Sequence, residues 1–215
     1  MSKSFTPLYE WPTPKTGCFT GEEYNDRIMK DLEGKAQDGY GGWWPSFFPT
    51  SIGFLVTKDG ERTNVMTVSC MTVMCAYPFT VGMPVFTGEK STRGDGPRFS
   101  FSLLERSREF TLNLGLISND MVKKVVICGS LSGKNEPDKI GKAGFTTFES
   151  RHVAPPILRE CPLNFECEVI SLSCLGTHTW VSAQVKAVHC IKALACGDQK
   201  LLWRSMPEFI DNHDE

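Results

Sequence analysis

Apolar and polar residues alternate along several short segments of this chain, and turn signals separate those segments. The alternation is clearest over residues 163–172 and 178–189. In the second segment, the predicted core face of the strand carries Val181, Ala183, Val185 and Ala187. Many short strands combined with few short helices favour an antiparallel barrel over a doubly wound sheet.

Earlier in the chain, the Asp59-Gly60 step predicts a hairpin turn between strands at residues 52–57 and 62–69. A further strand is expected over residues 81–87, and this strand contains a proline at position 84. Because proline donates no backbone hydrogen bond, the strand must lie at an edge or contain a bulge.

Three short helices are expected among these strands. Ser102 followed by Glu105 forms a capping-box pattern for the first helix. Ser118 can cap the second helix, which Gly129 ends. The third helix is predicted over residues 138–143.

Composition narrows the classes of function. The 215 residues carry a formal net charge of −2, which indicates neither a nucleic-acid partner nor binding to an anionic membrane. The polar start of the chain shows no secretion signal, so a cytoplasmic location is expected. We interpret residues 1–42 as an extension, residues 43–196 as the barrel domain and residues 197–215 as a tail.

The nine cysteines include no Cys-x-x-Cys pair, and the histidines show no close ligand spacing, so no metal site is expected. Five cysteines fall within strand-like segments, and we interpret them as small buried hydrophobes in a reducing compartment. They are Cys70, Cys75, Cys167, Cys174 and Cys190.

The strongest sign of a ligand is found in residues 98–113. Arg98 offers a planar fork of donors that suits phosphate, and Ser100 adds a hydroxyl at the start of the predicted helix. No P-loop spacing, Gly-x-Gly-x-x-Gly fingerprint or Gly-x-Ser-x-Gly elbow accompanies this pattern. We therefore assign no catalytic residue and expect a phosphorylated cofactor to supply the chemistry. His178, at a strand entrance, is interpreted as structural more readily than as a base.

Several segments, taken in order over residues 49–190, carry a family resemblance. They are residues 64–70, 78–81, 98–113, 128–146, 153–157, 160–169 and 175–178. In this order and spacing they resemble the flavin reductase-like family of FMN-binding split-barrel proteins, and especially its flavoredoxin-like branch.

The resemblance implies a mainly β fold, a six-stranded antiparallel split β-barrel with a few short helices. It also implies a homodimer that binds FMN near the subunit interface. The implied activity is hydride transfer from NADH or NADPH to flavin, with a small molecule or a protein as the final acceptor. The alternative is a flavoredoxin-like electron carrier that has no NAD(P)H activity of its own.

The resemblance also assigns roles to residues. Arg98 and Ser100 would hold the FMN phosphate, Lys139 and Ser132 would add charge or hydrogen bonds, and backbone groups of residues 67–70 would line the ring. The full set of implied cofactor-binding residues is Asn64, Thr67, Val68, Ser69, Cys70, Arg98, Ser100, Ser132 and Lys139.

Ordinary structural explanations stand beside these roles. Asn64 can simply close the hairpin, Lys139 can be a solvated helix lysine, and Arg98 and Ser100 can form a surface ion pair and a helix cap. Thr67 and Ser69, in turn, can be ordinary strand residues. A split barrel that has lost its cofactor is a third alternative. Residues 88–97 form a longer loop than the family usually has, which would restrict access of a nicotinamide to the flavin.

Overall fold

The structure is a computed structural model that describes residues 51–88, 90–91, 94–116 and 118–192, with backbone alone at 90–91 and 94–95. The predicted extension and tail lie outside the described residues, so the domain boundaries stay predictions.

Ten strands are described, and six of them are long enough to build the wall of a barrel. The strands are β1 (Ser51–Asp59), β2 (Arg62–Ala76), β3 (Phe79–Phe86), β4 (Lys90–Ser91), β5 (Gly94–Asp95), β6 (Glu109–Leu114), β7 (Thr147–Phe148), β8 (Ile157–Leu158), β9 (Leu163–Leu175) and β10 (His178–Cys190). The order β1-β2-β3-β10-β9-β6 closes into a barrel in which every neighbouring pair is antiparallel. The predicted six-stranded antiparallel barrel is confirmed.

The first hairpin has an unbroken register from Ile52 opposite Ser69 to Asp59 opposite Arg62. The turn itself consists of Gly60 and Glu61, one residue later than the sequence predicts. Gly60 has a φ of 56°, a conformation that glycine adopts without steric cost. The requirement for a positive φ therefore decides where the chain turns.

Alternation along the first two strands divides the apolar residues between two cores. Inside the barrel, Leu55 of β1 and Val68 of β2 join a cluster that the other strands and the first helix complete. Outside the barrel, Phe54 and Val65 pack beneath the later helices with Phe145 and their neighbours. Both faces of this hairpin are thus buried, which fixes its register.

The three predicted helices are present, as α1 (Phe99–Ser107), α2 (Asn119–Ser130) and α3 (Lys139–Lys142). The Ser102 capping box is wrong, because Ser102 lies inside α1, which begins at Phe99 with Arg98 as its N-terminal boundary residue. Ser118 does cap α2, since its Oγ accepts a hydrogen bond from the backbone N–H of Met121 at 3.1 Å. Asp138 caps α3 in the same way.

Pro84 occupies the edge position that the sequence requires. The ladder between β2 and β3 runs only from Ala76 opposite Phe79 to Thr72 opposite Gly82. Beyond that point β10 is the one strand among the described residues that pairs with β3, and Pro84 lies opposite Trp180. A residue without a backbone N–H is tolerated there because no described strand pairs with the other side of that part of β3.

A buried carboxylate fixes the loop before β8. Glu166 of β9 is fully buried, and its carboxylate accepts hydrogen bonds from the backbone N–H groups of Arg151 and His152 and contacts His189 Nε2 at 2.6 Å. Burial alone would raise the pKa of Glu166, but these hydrogen bonds outweigh burial and lower the pKa. The polar capacity of this group is therefore satisfied within the chain.

The cysteine prediction is only partly correct. Cys167 is buried in the barrel, whereas Cys70 is half-buried, and Cys75, Cys174 and Cys190 are exposed because their strands extend beyond the core. All the cysteines in the described residues are free thiols. Among the helices described, none has the length and apolar character needed to cross a membrane.

Candidate functional site

The site begins with a buried hydrogen bond between β2 and α1. Asn64 Nδ2 donates to Ser100 Oγ at 2.7 Å, and the two residues are 2% and 1% exposed. This hydrogen bond uses a lone pair of the serine oxygen and leaves the serine hydrogen free, since Ser100 Oγ donates to no described residue. Asn64 therefore does more than close the hairpin: it prepares Ser100 as a donor.

The segment after α2 packs closely against this pair. A Cβ at Gly133 would collide with Asn64 Oδ1 and with the ring of Phe99, so only glycine fits here. Arg62 spans the same contact, with its guanidinium 5.1 Å from the Phe99 ring centroid and Nη2 donating to the Gly133 carbonyl at 3.5 Å. The backbone beside Ser132 is thereby held at the start of α1.

Ser132 itself is exposed, and its main hydrogen bonds are local. Its Oγ accepts from the backbone N–H of Lys134 at 3.3 Å, and its carbonyl accepts from Asn135 and Glu136. These contacts define a turn. The structure thus places the segment that carries Ser132 at the site, while the hydroxyl of Ser132 is used in a hydrogen bond within the turn.

Lys139 is buried at the same place. It is 3% exposed, and its pKa falls from 10.5 to about 8. Burial is the main cause of this shift, the Cys128 thiol opposes it, and the nearby Arg98 guanidinium adds to it. In turn, burial raises the pKa of Cys128 to about 11, against the charges of Lys139 and Lys124. Lys139 is therefore not a solvated helix lysine.

Arg98 connects the two halves of the site. Its guanidinium lies 5.4 Å from the Phe86 ring centroid and close enough to Lys139 to affect its titration. Its backbone N–H donates to the Phe86 carbonyl at 3.2 Å, which fixes the chain as it enters α1. The structure thus brings together three of the predicted phosphate ligands: Arg98, Ser100 and Lys139.

These residues fit a phosphate group. Two cationic side chains lie close together, and Lys139 makes no ion pair with a carboxylate in the described ranges. Burying a cation without an anion is unfavourable, and a bound dianion would compensate for that cost. The free hydrogen of Ser100 adds a hydrogen-bond donor at the same place.

The predicted ring-binding segment lies on the same strand as Asn64. Thr67 Oγ1 donates to the Val125 carbonyl of α2 at 2.6 Å, and Val68 is buried in the barrel core. Those two side chains are therefore occupied, and Ser69 is exposed. Between residues 64 and 71, β2 pairs with β1 on one side and with no described strand on the other. The backbone groups of this free edge are what the segment can offer a ligand.

Cys70 interrupts the strand. It has a φ of 60°, and the register shifts there, because Ser69 lies opposite Ile52 but Met71 lies opposite Ser51. An extra residue of this kind is a β-bulge, which bends the strand and redirects its groups. A non-glycine residue in this conformation is strained, and strain of this kind is concentrated at functional sites.

His178 is a residue that the sequence reasoning left outside the site. Its ring packs edge-on against Phe86 at 5.4 Å, and its Nδ1 lies 3.0 Å from Thr177 Oγ1. Burial, and then the positive charge of Arg98, lower its pKa. Its position on β10, opposite Phe86 of β3, brings it to Arg98, and only the strand pairing could have revealed this.

An antiparallel six-stranded barrel with a few short helices, and with cationic side chains close together at the start of α1, defines the class of split-barrel proteins. The sequence model of the family described as the flavin reductase like domain matches residues 46–205. The chain belongs to this family.

Two curated relatives are uncharacterized proteins of archaea. One, from Pyrococcus abyssi, is 29% identical over 140 residues, which cover 65% of this chain and 73% of the relative. The other, from Archaeoglobus fulgidus, is 29% identical over 126 residues, which cover 59% of this chain and 64% of the relative. The match thus spans just under two thirds of the second relative.

Solved structures show the same fold. A flavoredoxin from Methanosarcina acetivorans superposes with a TM-score of 0.61 at 20% identity, covering 75% of this chain and 82% of that one. An FMN-binding protein from Thermus thermophilus, solved with bound 1-cyclohex-2-enone, superposes with a TM-score of 0.59 at 22% identity, covering 70% of this chain and 76% of that one. At these identities the similarity shows the barrel fold alone.

Proposed function

We propose that this protein binds FMN and acts as an oxidoreductase that passes a hydride from NADH or NADPH to the flavin. The observation that carries the proposal is the convergence of Arg98 with the buried residues Lys139 and Ser100, next to a strand edge that no described strand covers. FMN, when bound, would accept the two electrons and the hydrogen of the hydride and pass electrons on to a small molecule or a protein. The family membership supports a flavin as the cofactor.

In this proposal the phosphate is the anchor. Arg98 and Lys139 would neutralise its charge, and the Ser100 hydroxyl would donate to one of its oxygens. Asn64 would keep the serine hydrogen available by donating to the serine oxygen. The buried position of Lys139 makes its charge effective, because solvent screens it only weakly.

The free edge of β2 would hold the polar side of the flavin ring. Backbone N–H and C=O groups of residues 67–70 that point away from β1 can pair with the alternating donors and acceptors of that side. The bulge at Cys70 turns this edge out of the regular ladder. Backbone recognition explains why Thr67 and Val68 can use their side chains elsewhere.

A second function is an electron carrier that receives electrons from a protein and has no NAD(P)H activity. The observation that favours it is the hairpin of β4 and β5, which lies in the chain between Phe86 and Arg98. Thr87 and Gly88 hold its base by donating their backbone N–H groups to the Thr177 carbonyl, both at 3.0 Å. A hairpin rooted beside Arg98 and His178 can cover the face that a nicotinamide would need.

We also propose that the protein is a homodimer with FMN near the subunit interface. Large apolar side chains are exposed on β2 and α2, the elements that flank the proposed ring edge: Val73, Met74, Val122 and Val126. A second copy of the chain would remove this surface from water. Light scattering on the purified protein measures the mass, and a monomer at working concentrations would contradict the dimer.

A titration with FMN tests the central proposal. Quenching of flavin fluorescence gives the dissociation constant, and Arg98→Ala should raise it about tenfold or more by removing a charge-assisted contact. Arg106→Ala is the matched control, because Arg106 lies at the other end of α1 and pairs with Asp59 at the surface. A protein that neither contains nor binds FMN would contradict the proposal.

Anaerobic mixing of the FMN-loaded protein with NADH and NADPH separates the two functions. Loss of the flavin absorbance at catalytic rates supports the oxidoreductase. Reduction by a protein donor alone supports the carrier.

A further inference from the structure

Two buried oxygen atoms at one end of the barrel have no hydrogen-bond partner among the described residues. They are Thr57 Oγ1 and Asn64 Oδ1, in residues that are 0% and 2% exposed. Thr57 of β1 and Asn64 of β2 are direct register partners. Residues that face each other across an antiparallel ladder point to the same side, with Cβ atoms about 4.5–5.5 Å apart. The two side chains that carry the orphaned oxygens are therefore neighbours.

Their side of the ladder is the barrel interior. Thr57 alternates with Leu55, and Asn64 alternates with Met66, and both apolar residues belong to the inner core. Ser100 joins the pair through its 2.7 Å hydrogen bond from Asn64 Nδ2. Three polar side chains thus share an otherwise apolar place. Two oxygens without partners there have lost their hydrogen bonds to water and gained none within the protein, which is unfavourable.

We propose that one buried water molecule bridges Thr57 Oγ1 and Asn64 Oδ1, and that Thr57 is thereby a positioning residue for the phosphate site. The separation of facing side chains suits a single water, which needs polar partners on at least two sides. The water donates one hydrogen to Asn64 Oδ1 and accepts the hydroxyl hydrogen of Thr57. Both orphaned atoms then have a partner.

This water would determine which way the Asn64 amide faces. With its oxygen held by the water, the amide presents its nitrogen to Ser100, as observed. The serine hydrogen is then free for a phosphate oxygen. In the opposite orientation the amide oxygen would take that hydrogen, and Ser100 would offer only lone pairs to an anion. Thr57 would thus act on the ligand through Asn64 and Ser100.

The positioning role rests on the proposed binding of FMN, and its test compares FMN with riboflavin, which has the same ring without the phosphate. Thr57→Val preserves the shape but removes the hydroxyl, so the dissociation constant for FMN should rise about tenfold while that for riboflavin stays unchanged. Thr57→Ser, which keeps the hydroxyl, should bind FMN as the wild type does. Equal losses for both ligands, or no loss for either, would overturn the positioning role.

The water itself has a test that needs no ligand. A crystal structure of the ligand-free protein should show a water within hydrogen-bond distance of both oxygens, and the Thr57→Val structure should lack it. Empty density in the wild type would overturn the inference. Failure of the wild type to bind FMN would instead contradict the proposed function, and the density would still decide whether the water exists.

Discussion

Two buried lysines, only fifteen positions apart, have opposite surroundings. Lys124 of α2 is 6% exposed, and its Nζ donates to the carbonyls of Ala143 and Gly144 at 3.0 and 2.6 Å. It also lies 3.5 Å from a carboxylate oxygen of Asp120 and 4.9 Å from the Phe145 ring centroid. Lys139 of α3 is 3% exposed and makes no comparable contact within the described residues.

The difference separates a structural cation from a ligand-binding one. Lys124 stabilises the end of α3. Its Nζ donates to the carbonyls of Ala143 and Gly144, which follow the helix and have no partner within it. The chain leaves the helix at Gly144 in a left-handed conformation, with a φ of 70°. Lys139 has its charge buried next to another cation, and its pKa falls to about 8. A buried charge that has hydrogen-bond acceptors and a counter-charge within the chain is part of the fold. A buried charge that lacks an anion indicates that a ligand supplies one.

The largest effect is expected at the structural lysine. Lys124→Met should lower the free energy of unfolding by about 3 kcal/mol, because two carbonyls lose their donor. Its effect on FMN affinity should be small. Denaturant unfolding and fluorescence titration measure the two quantities. A normal stability would show that water replaces the lysine at no cost.

Gly133→Ala comes next. The added methyl group must displace the Asn64 side chain or the Phe99 ring, so we expect a loss of about 2 kcal/mol in stability together with weaker FMN binding. Gly96→Ala provides a comparison, because a Cβ there meets no atom within 4 Å, although its φ of 79° adds backbone strain. If only Gly96→Ala weakened FMN binding, the close packing at position 133 would have no role in the site.

Lys139→Met should have the opposite effects to Lys124→Met: it should weaken FMN binding and leave stability intact. FMN affinity should fall about tenfold, because a charge-assisted contact with the phosphate is lost. The ligand-free protein should melt at the same temperature or higher, since an uncompensated buried charge is removed. Calorimetry of the ligand-free variant checks the second part. A large loss of stability would mean that Lys139 is structural after all.

The smallest effect is a pH dependence. Lys139 loses its proton near pH 8 in the ligand-free protein, so FMN affinity should fall about fivefold between pH 7 and pH 9 if the neutral lysine binds tenfold less tightly. Between about pH 8 and 10.5 the unfolded chain holds more protons at this position than the folded chain does. Lys139 therefore contributes stability that rises with pH in that window, whereas the buried thiols Cys128, Cys161 and Cys167, whose pKa values are raised, contribute in the opposite direction. The pH dependence of FMN affinity should vanish in Lys139→Gln, and the stability of the wild type relative to this variant should rise with pH.

Local patterns predicted the barrel well. Alternation located the long strands, and Ser118 and Asp138 marked where two helices begin. The start of α1 was misplaced, because its boundary is set by the Arg98 backbone bonded to Phe86, and no side chain caps it. The strand ends were longer than predicted because pairing continues beyond the core, where composition gives little signal.

The site was predicted only as a set of residues without geometry. Arg98 and Ser100 were recognisable from their spacing, but the burial of Lys139 and the contact of Gly133 with Asn64 depend on packing between distant segments. His178 reaches Arg98 only through the pairing of β3 and β10. The orphaned oxygens of Thr57 and Asn64 likewise become visible only when two strands face each other.

The bulge at Cys70 also reverses which positions of the strand point into the barrel. Before it, even-numbered residues such as Met66 and Val68 face the barrel interior; directly after it, the odd-numbered Met71 packs against the same core. Inside and outside therefore exchange places across one residue. When relatives are aligned along this strand, the two sides of position 70 must be matched separately, since a gap placed elsewhere would assign the side chains that directly follow it to the wrong face.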